Sequence, residues 1–228
     1  MINIRIATKY TEFQLNYRDQ LMLKDMFPLI EWEKLSFCNG IPFYMRLSKA
    51  IATALPDAFS TDRITIYIRD YDQISPDNRL AILVHELVHV HQYQALNRSN
   101  SLFFPEFGFF RRFLTHYLAW YIQCFFNNLF VKKLSFRQAS FEAYRFQPFE
   151  QEAYSFEHQF RLALPQYKAH ESAVFYKMFP SIILKDSIQI KTPGNFIVIL
   201  AALINLILFF FNLIFSSFNL IISLFHKN

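Results

Sequence analysis

From Arg63 to Arg69 hydrophobic and polar positions alternate one by one, with Ile64, Ile66 and Ile68 on one side, and this period of two predicts a half-buried β-strand. The pattern then changes period. Ser75-Pro76-Asp77 offers an N-cap, a proline suited to the first helical position and an acid for the first turn. A long apolar run follows, so a helix is predicted from about Pro76 to Leu96. Its Leu80, Ile82, Leu83, Val84, Leu87, Val88 and Val90 point in nearly every direction, as in a helix covered on most sides by protein. Phe109 to Val131 reads as a second long helix, with Phe113, Tyr117, Trp120, Tyr121 and Phe125 among polar positions. Packing behind the first helix is its first reading. An interfacial helix with Arg111 and Arg112 at lipid headgroups is the other. Shorter helices are expected over Pro42–Leu55, stopped by Pro56, and near Asp25–Leu35.

The predicted Pro76 helix carries His85-Glu86-Leu87-Val88-His89, the pattern HExxH. Side chains at i and i+4 share a helix face, so His85 and His89 are placed to ligate one zinc ion while Glu86 reaches the water that zinc holds. Buried polar groups without partners cost several kcal/mol, and a divalent ion with its water would satisfy all three together. A pair of core histidines bonded to backbone carbonyls is the blander alternative. His91 lies about 200° around the helix from His89 and is expected at the surface or behind the ligands.

A strand leading into a helix with this motif resembles the zincin metallopeptidases. In that superfamily an edge strand beside the metal aligns a peptide substrate, a role the resemblance would assign to residues 63 to 69. Catalytic zinc takes three protein ligands and leaves a position for water. Gln147-Pro148-Phe149-Glu150-Gln151-Glu152-Ala153-Tyr154 opens a further helix with acids in its first turns. It is similar to the gluzincin arrangement, in which a glutamate on a later helix is the third ligand with a small residue three positions on. Glu150 with Ala153 matches that spacing; Glu152 is the rival ligand, and complementing the helix dipole is the bland reading of both acids. Gluzincins often place an acid or amide at the fourth position, where Tyr154 stands here. With Gln92 completing His-Glu-x-x-His-x-x-Gln, residues 60 to 160 also look like uncharacterised bacterial zincin-like domains. The resemblance implies peptide hydrolysis with Glu86 as general base. Tyr144, Tyr154 and His158 are the candidate oxyanion donors.

Phe196 to Phe225 contains no charge, and a spanning helix needs about 20 such residues. A single C-terminal transmembrane helix is the expectation, with a hairpin breaking at Ser216-Ser217 as the competing view. Asn205, Asn212 and Asn219 recur every seven residues and could bond a partner helix, unless that spacing is accidental. Lys177, Lys185 and Lys191 before the segment, against Lys227 after it, favour a cytoplasmic catalytic domain, and Met1 to Asp19 has no secretory h-region. Cys38 and Cys124 offer at most one disulfide and suit a reducing compartment. The net charge of +5, without a dense basic run, argues for proximity to anionic lipid rather than nucleic acid. Three glycines leave no phosphate-binding loop.

Together these patterns predict a mostly helical α+β zincin-like domain with a small sheet over residues 1–194 and a membrane anchor over 195–228. The expected activity is that of a zinc-dependent metallopeptidase acting on peptide or protein substrates at a membrane. The alternative is a membrane-interaction or toxin-like protein whose zincin domain is a non-catalytic metal-binding scaffold.

Overall fold

A computed structural model describes residues 10–42, 50–56, 63–98 and 108–169, with positions 197, 199 and 200. These divide between two compact units, one drawn from Met1–Phe110 and Phe149–Ile190, the other from Arg111–Pro148 and Lys191–Asn228. The architecture is α+β, a small sheet with helices.

In the first unit, β1 (Thr11–Glu12), β2 (Leu35–Asn39), β3 (Ala52–Pro56) and β4 (Ile64–Ile68) form a sheet ordered β1-β2-β4-β3. β2 runs parallel to β4 with Leu35 opposite Ile64, whereas β3 runs antiparallel to β4 with Ala52 opposite Ile68. The alternation along β4 sends Ile64, Ile66 and Ile68 into full burial, as a one-sided sheet requires. α1 (Tyr17–Met26) starts where the Asn16 side chain accepts the Asp19 N–H at 2.9 Å, and it buries Met22, Leu23 and Met26. α2 (Pro76–Arg98) and α5 (Pro148–Ala169) are the long helices of this unit. α2 packs against β3, and its Leu83, Val84, Leu87, Val88 and Val90 are buried. Phe160, Ala153 and Ala163 of α5 are buried likewise.

The turn from β4 into α2 is held by side chains, which fixes where the motif helix begins. Asn39 accepts the Tyr71 N–H at 3.1 Å and donates to Asp72 at 3.0 Å. Arg79, from the first turns of α2, donates to the Ile74 and Asp72 carbonyls at 2.6 and 3.1 Å and lies 4.7 Å over the Tyr71 ring. These bonds offset the left-handed backbone of Asp70 (φ 52°) at the same turn.

The second unit contains α3 (Gly108–Phe126), a π turn (Asn127–Val131) and α4 (Phe136–Phe146). Ser135 and Gln138 form a capping box at the start of α4, and Tyr121 on α3 shares a 2.8 Å hydroxyl bond with Ser140 on α4.

Three sequence expectations change. Residues 52–55 of the expected Pro42–Leu55 helix lie in strand β3, because pairing with β4 overrides local helix preference; Pro56 sits at the end of an outer strand, where a missing N–H is tolerated. Residues 43–49 lie outside the described residues. The helix expected near Asp25–Leu35 lies earlier, over Tyr17–Met26. Pro28 prevents its continuation, Trp32–Lys34 is a single 3-10 turn and Leu35 opens β2. β4 is an inner strand, so the outer position that the resemblance assigned to residues 63 to 69 belongs to β3. Among the described residues no helix is long and apolar enough to cross a membrane. The expected anchor, Phe196–Phe225, lies outside the described residues but for three positions.

Candidate metal centre

His85 and His89 project from one side of α2, their rings 5.0 Å apart and edge to face. α5 begins at Pro148, whose missing N–H costs nothing in a first turn, and this sets Glu150 in that turn. All three side chains are buried, and their ligand atoms lie within 4.8 Å of one another. One Glu150 oxygen is 3.4 Å from His85 Nε2, and the other is 3.4 Å from His89 Nε2. Ala153, fully buried one turn on, presents only a methyl group to the packing there.

Hydrogen bonding on the far side of each ring fixes what Nε2 can be. His85 Nδ1 lies 3.1 Å from a Glu157 oxygen, and a carboxylate only accepts, so Nδ1 carries the hydrogen. His89 Nδ1 lies 2.8 Å from the Gln92 carboxamide oxygen. That amide cannot be flipped, since its nitrogen donates to the Phe149 carbonyl at 3.0 Å and to Glu152 at 2.9 Å, both acceptors. With Nδ1 the donor in both rings, each neutral Nε2 points a lone pair at a carboxylate oxygen. Acceptor faces acceptor, and only a proton or a metal cation between them removes the conflict. Ligands about 2.1 Å from a tetrahedral zinc stand about 3.4 Å apart. Each nitrogen stands at that distance from a Glu150 oxygen, His85 from one and His89 from the other, and the three ligand atoms lie within 4.8 Å of one another. The donor set of two imidazole nitrogens and one carboxylate could therefore hold a metal ion.

The network behind the site continues outward. Glu157 offers its other oxygen to Arg161 at 2.9 and 2.8 Å, and Arg161 donates to Asn78 on α2 at 2.6 Å. Gln92 ties His89 to the start of α5. Each imidazole is thus oriented by a side chain that is itself held, the arrangement that sets tautomer and ring angle at metal sites.

Charge follows from burial and these partners. Burial disfavours a charged His85, but its hydrogen bonds to the Glu150 and Glu157 carboxylates outweigh this and push its pKa up to about 10. His89 is opposed by burial and raised by the Glu150 charge in the same way. Burial acts on Glu150 as well, yet the two imidazoles hold its carboxyl far below the usual range. Glu86, buried beside His85, goes the other way: burial pushes it up, only partly countered by the His89 and His85 charges and by the Ala54 backbone N–H. A carboxylate raised in this manner is a stronger base than an ordinary one.

The structure thus brings together His85, His89 and Glu150 with Glu86 alongside. It sets Glu152 on Gln92 rather than among the converging ligand atoms. His91 is buried, not at the surface, and is not in the cluster. Of the three oxyanion candidates, Tyr154 lies against the site, its ring 4.6 Å from that of His85, and it is 40% exposed. His158 is exposed and Tyr144 belongs to the second unit. Sequence reasoning missed Glu157, Arg161 and Asn78. Glu157 follows Glu150 by seven positions, about two turns along the same face of α5, which was the available signal. Compared with known proteins, the chain matches no family model, no curated protein and no solved structure.

Proposed function

We propose that this protein is a gluzincin-like, zinc-dependent metallopeptidase held at a membrane by its C-terminal apolar segment, with its catalytic domain on the cytoplasmic side. The observation that carries this reading is the pair of Nε2 atoms, each 3.4 Å from a Glu150 oxygen and each with its Nδ1 already committed as a donor. A zinc ion bound there would polarise a carbonyl and acidify a water. Glu86, whose pKa is raised by burial, would take the proton from the attacking water and deliver it to the leaving amine. Tyr154, partly open to solvent beside His85, would donate to the developing oxyanion. On the outer strand β3 the Ala54 backbone is engaged by α2, its N–H with the Glu86 carboxylate and its carbonyl with Tyr93 Oη at 3.2 Å, which ties Glu86 to the sheet. His85, His89 and Glu150 orient and bind; Glu157 and Gln92 position the first two.

The test is Glu86→Gln. The variant should keep its fold and one bound zinc while turnover falls by about 10²- to 10⁴-fold. Comparing new protein N termini in cells carrying the two chains should reveal cleavages made only by the wild type. Identical sets of termini would remove the peptidase reading. The full chain should fractionate with membranes and resist alkaline extraction; recovery in the soluble fraction would remove the anchor alone.

A further inference from the structure

The reversal between α3 and α4 turns apolar side chains outward on a fixed backbone. Phe130, Val131 and Phe136 are 68%, 72% and 71% exposed, and the exposed Phe126 stacks on Phe130 with ring centres 5.7 Å apart. A loose loop would fold such side chains inward. This one is held: the Lys132 N–H donates to the Asn127 carbonyl and the Leu134 N–H to the Asn128 carbonyl, both at 3.1 Å. The buried Asn128 amide donates to the Ala139 carbonyl at 3.5 Å, and Lys133 is kept left-handed (φ 54°). The Ser135–Gln138 capping box fixes the next turn. Cations lie within the same stretch. Lys132 and Lys133 follow Phe130-Val131 directly, and Arg137 follows Phe136. From Gly108 to Phe149 the chain has six Lys and Arg and one acid, Glu142, which lies 3.7 Å from Lys132.

We propose that this tip docks on an anionic lipid surface, with Phe130, Val131 and Phe136 entering the boundary between headgroups and acyl chains and Lys132, Lys133 and Arg137 among the lipid phosphates. A membrane demands no matching contour, only apolar side chains held outward and cations beside them to meet negative headgroups. That is the combination here: a bonded backbone, large exposed aromatics and a local charge of one sign. The tip is formed by residues 126–137 of the second unit and uses none of the residues of the metal centre.

The full chain is reconstituted into phosphatidylcholine vesicles with or without phosphatidylglycerol, carrying an environment-sensitive fluorophore at Phe130→Cys. Unsubstituted chain is the control for labelling at Cys38 and Cys124. In the anionic vesicles the probe should shift to the blue, be quenched by acyl-chain-labelled lipid and lose its access to aqueous iodide. Lys132→Gln/Lys133→Gln/Arg137→Gln should shift the docked-to-undocked ratio by one to two orders of magnitude, on the order expected for three cations near such a surface. A probe fully open to iodide on anionic vesicles overturns the proposal. So does protection that rises with protein rather than lipid concentration, which would make the tip a contact between copies. A second reporter at Ser216→Cys follows the C-terminal segment, so failure of the anchor and failure of the tip are read separately.

Discussion

The two units break the same rule in opposite directions. The first hides polar chemistry: His85, Glu86, His89, Gln92 and Glu150 are all buried. The second displays apolar chemistry, with Phe126, Phe130, Val131, Phe136 and Phe141 exposed. Buried charge is tolerated only when paired or bound to metal, and large apolar side chains clustered in water mark a surface that meets something else. Between α2 and α5 the two imidazoles and one carboxylate could hold a metal ion; at the α3–α4 tip the partner we propose is an anionic lipid surface.

The comparison breaks most decisively at Glu150. Glu150→Ala removes the carboxylate whose oxygens lie 3.4 Å from the two imidazoles, so zinc content of the purified chain should fall from about one equivalent to near zero, measured by elemental analysis. Retention of full zinc content, with loss in Glu152→Ala instead, would reverse the ligand assignment. A smaller effect is expected one step back. Glu157→Gln and Gln92→Ala should each weaken zinc binding about 10- to 100-fold in competition titrations, leaving the ligands themselves in place. Unchanged affinity in both would mean that the rings are oriented by packing alone.

Proton linkage sharpens the comparison further. In the metal-free chain His85 is raised from 6.5 to about 10, so its ring is cationic at pH 7, and His89 is raised as well. Zinc must displace the His85 Nε2 proton, and calorimetry in buffers of different ionisation enthalpy should show release of at least one proton per metal at that pH. Because the folded pKa of His85 lies above its unfolded value, its contribution to stability is complete below pH 6.5 and fades as pH rises towards about 10. The Tm of metal-free protein should fall across that window, while the zinc-loaded protein, whose rings are already unprotonated, should not follow it. The smallest effect belongs to the tip. Phe130→Ser should alter folding stability by no more than about 0.5 kcal/mol in urea titrations, since the side chain is exposed. Phe160→Ala in the first unit should cost about 3–5 kcal/mol. A large loss from Phe130→Ser would show that the ring packs within the fold and is not held outward for a partner.

Local spacing made much of the site legible. The alternation of Ile64, Ile66 and Ile68 specified a one-sided strand, the four-residue interval of His85 and His89 put them on one helix face, and Pro148 set Glu150 into a first turn. The helix expected over Pro42–Leu55 failed at residues 52–55, because Ala52–Pro56 becomes a strand through pairing with β4, a contact no local pattern records. Asn16, which caps α1, and Pro28, just beyond it, are local marks of where that helix lies.

The sequence by itself determined which groups can bind metal and which can move a proton, because those properties belong to residue type and to the repeat of a helix. Only the tertiary structure decided between Glu150 and Glu152, brought Glu157 to His85, gave Gln92 its task and left Phe130 in water. Those outcomes depend on how α5 meets α2 and how α3 turns into α4. Angles and distances between elements far apart in the chain are set by packing, and no window of neighbouring residues contains them.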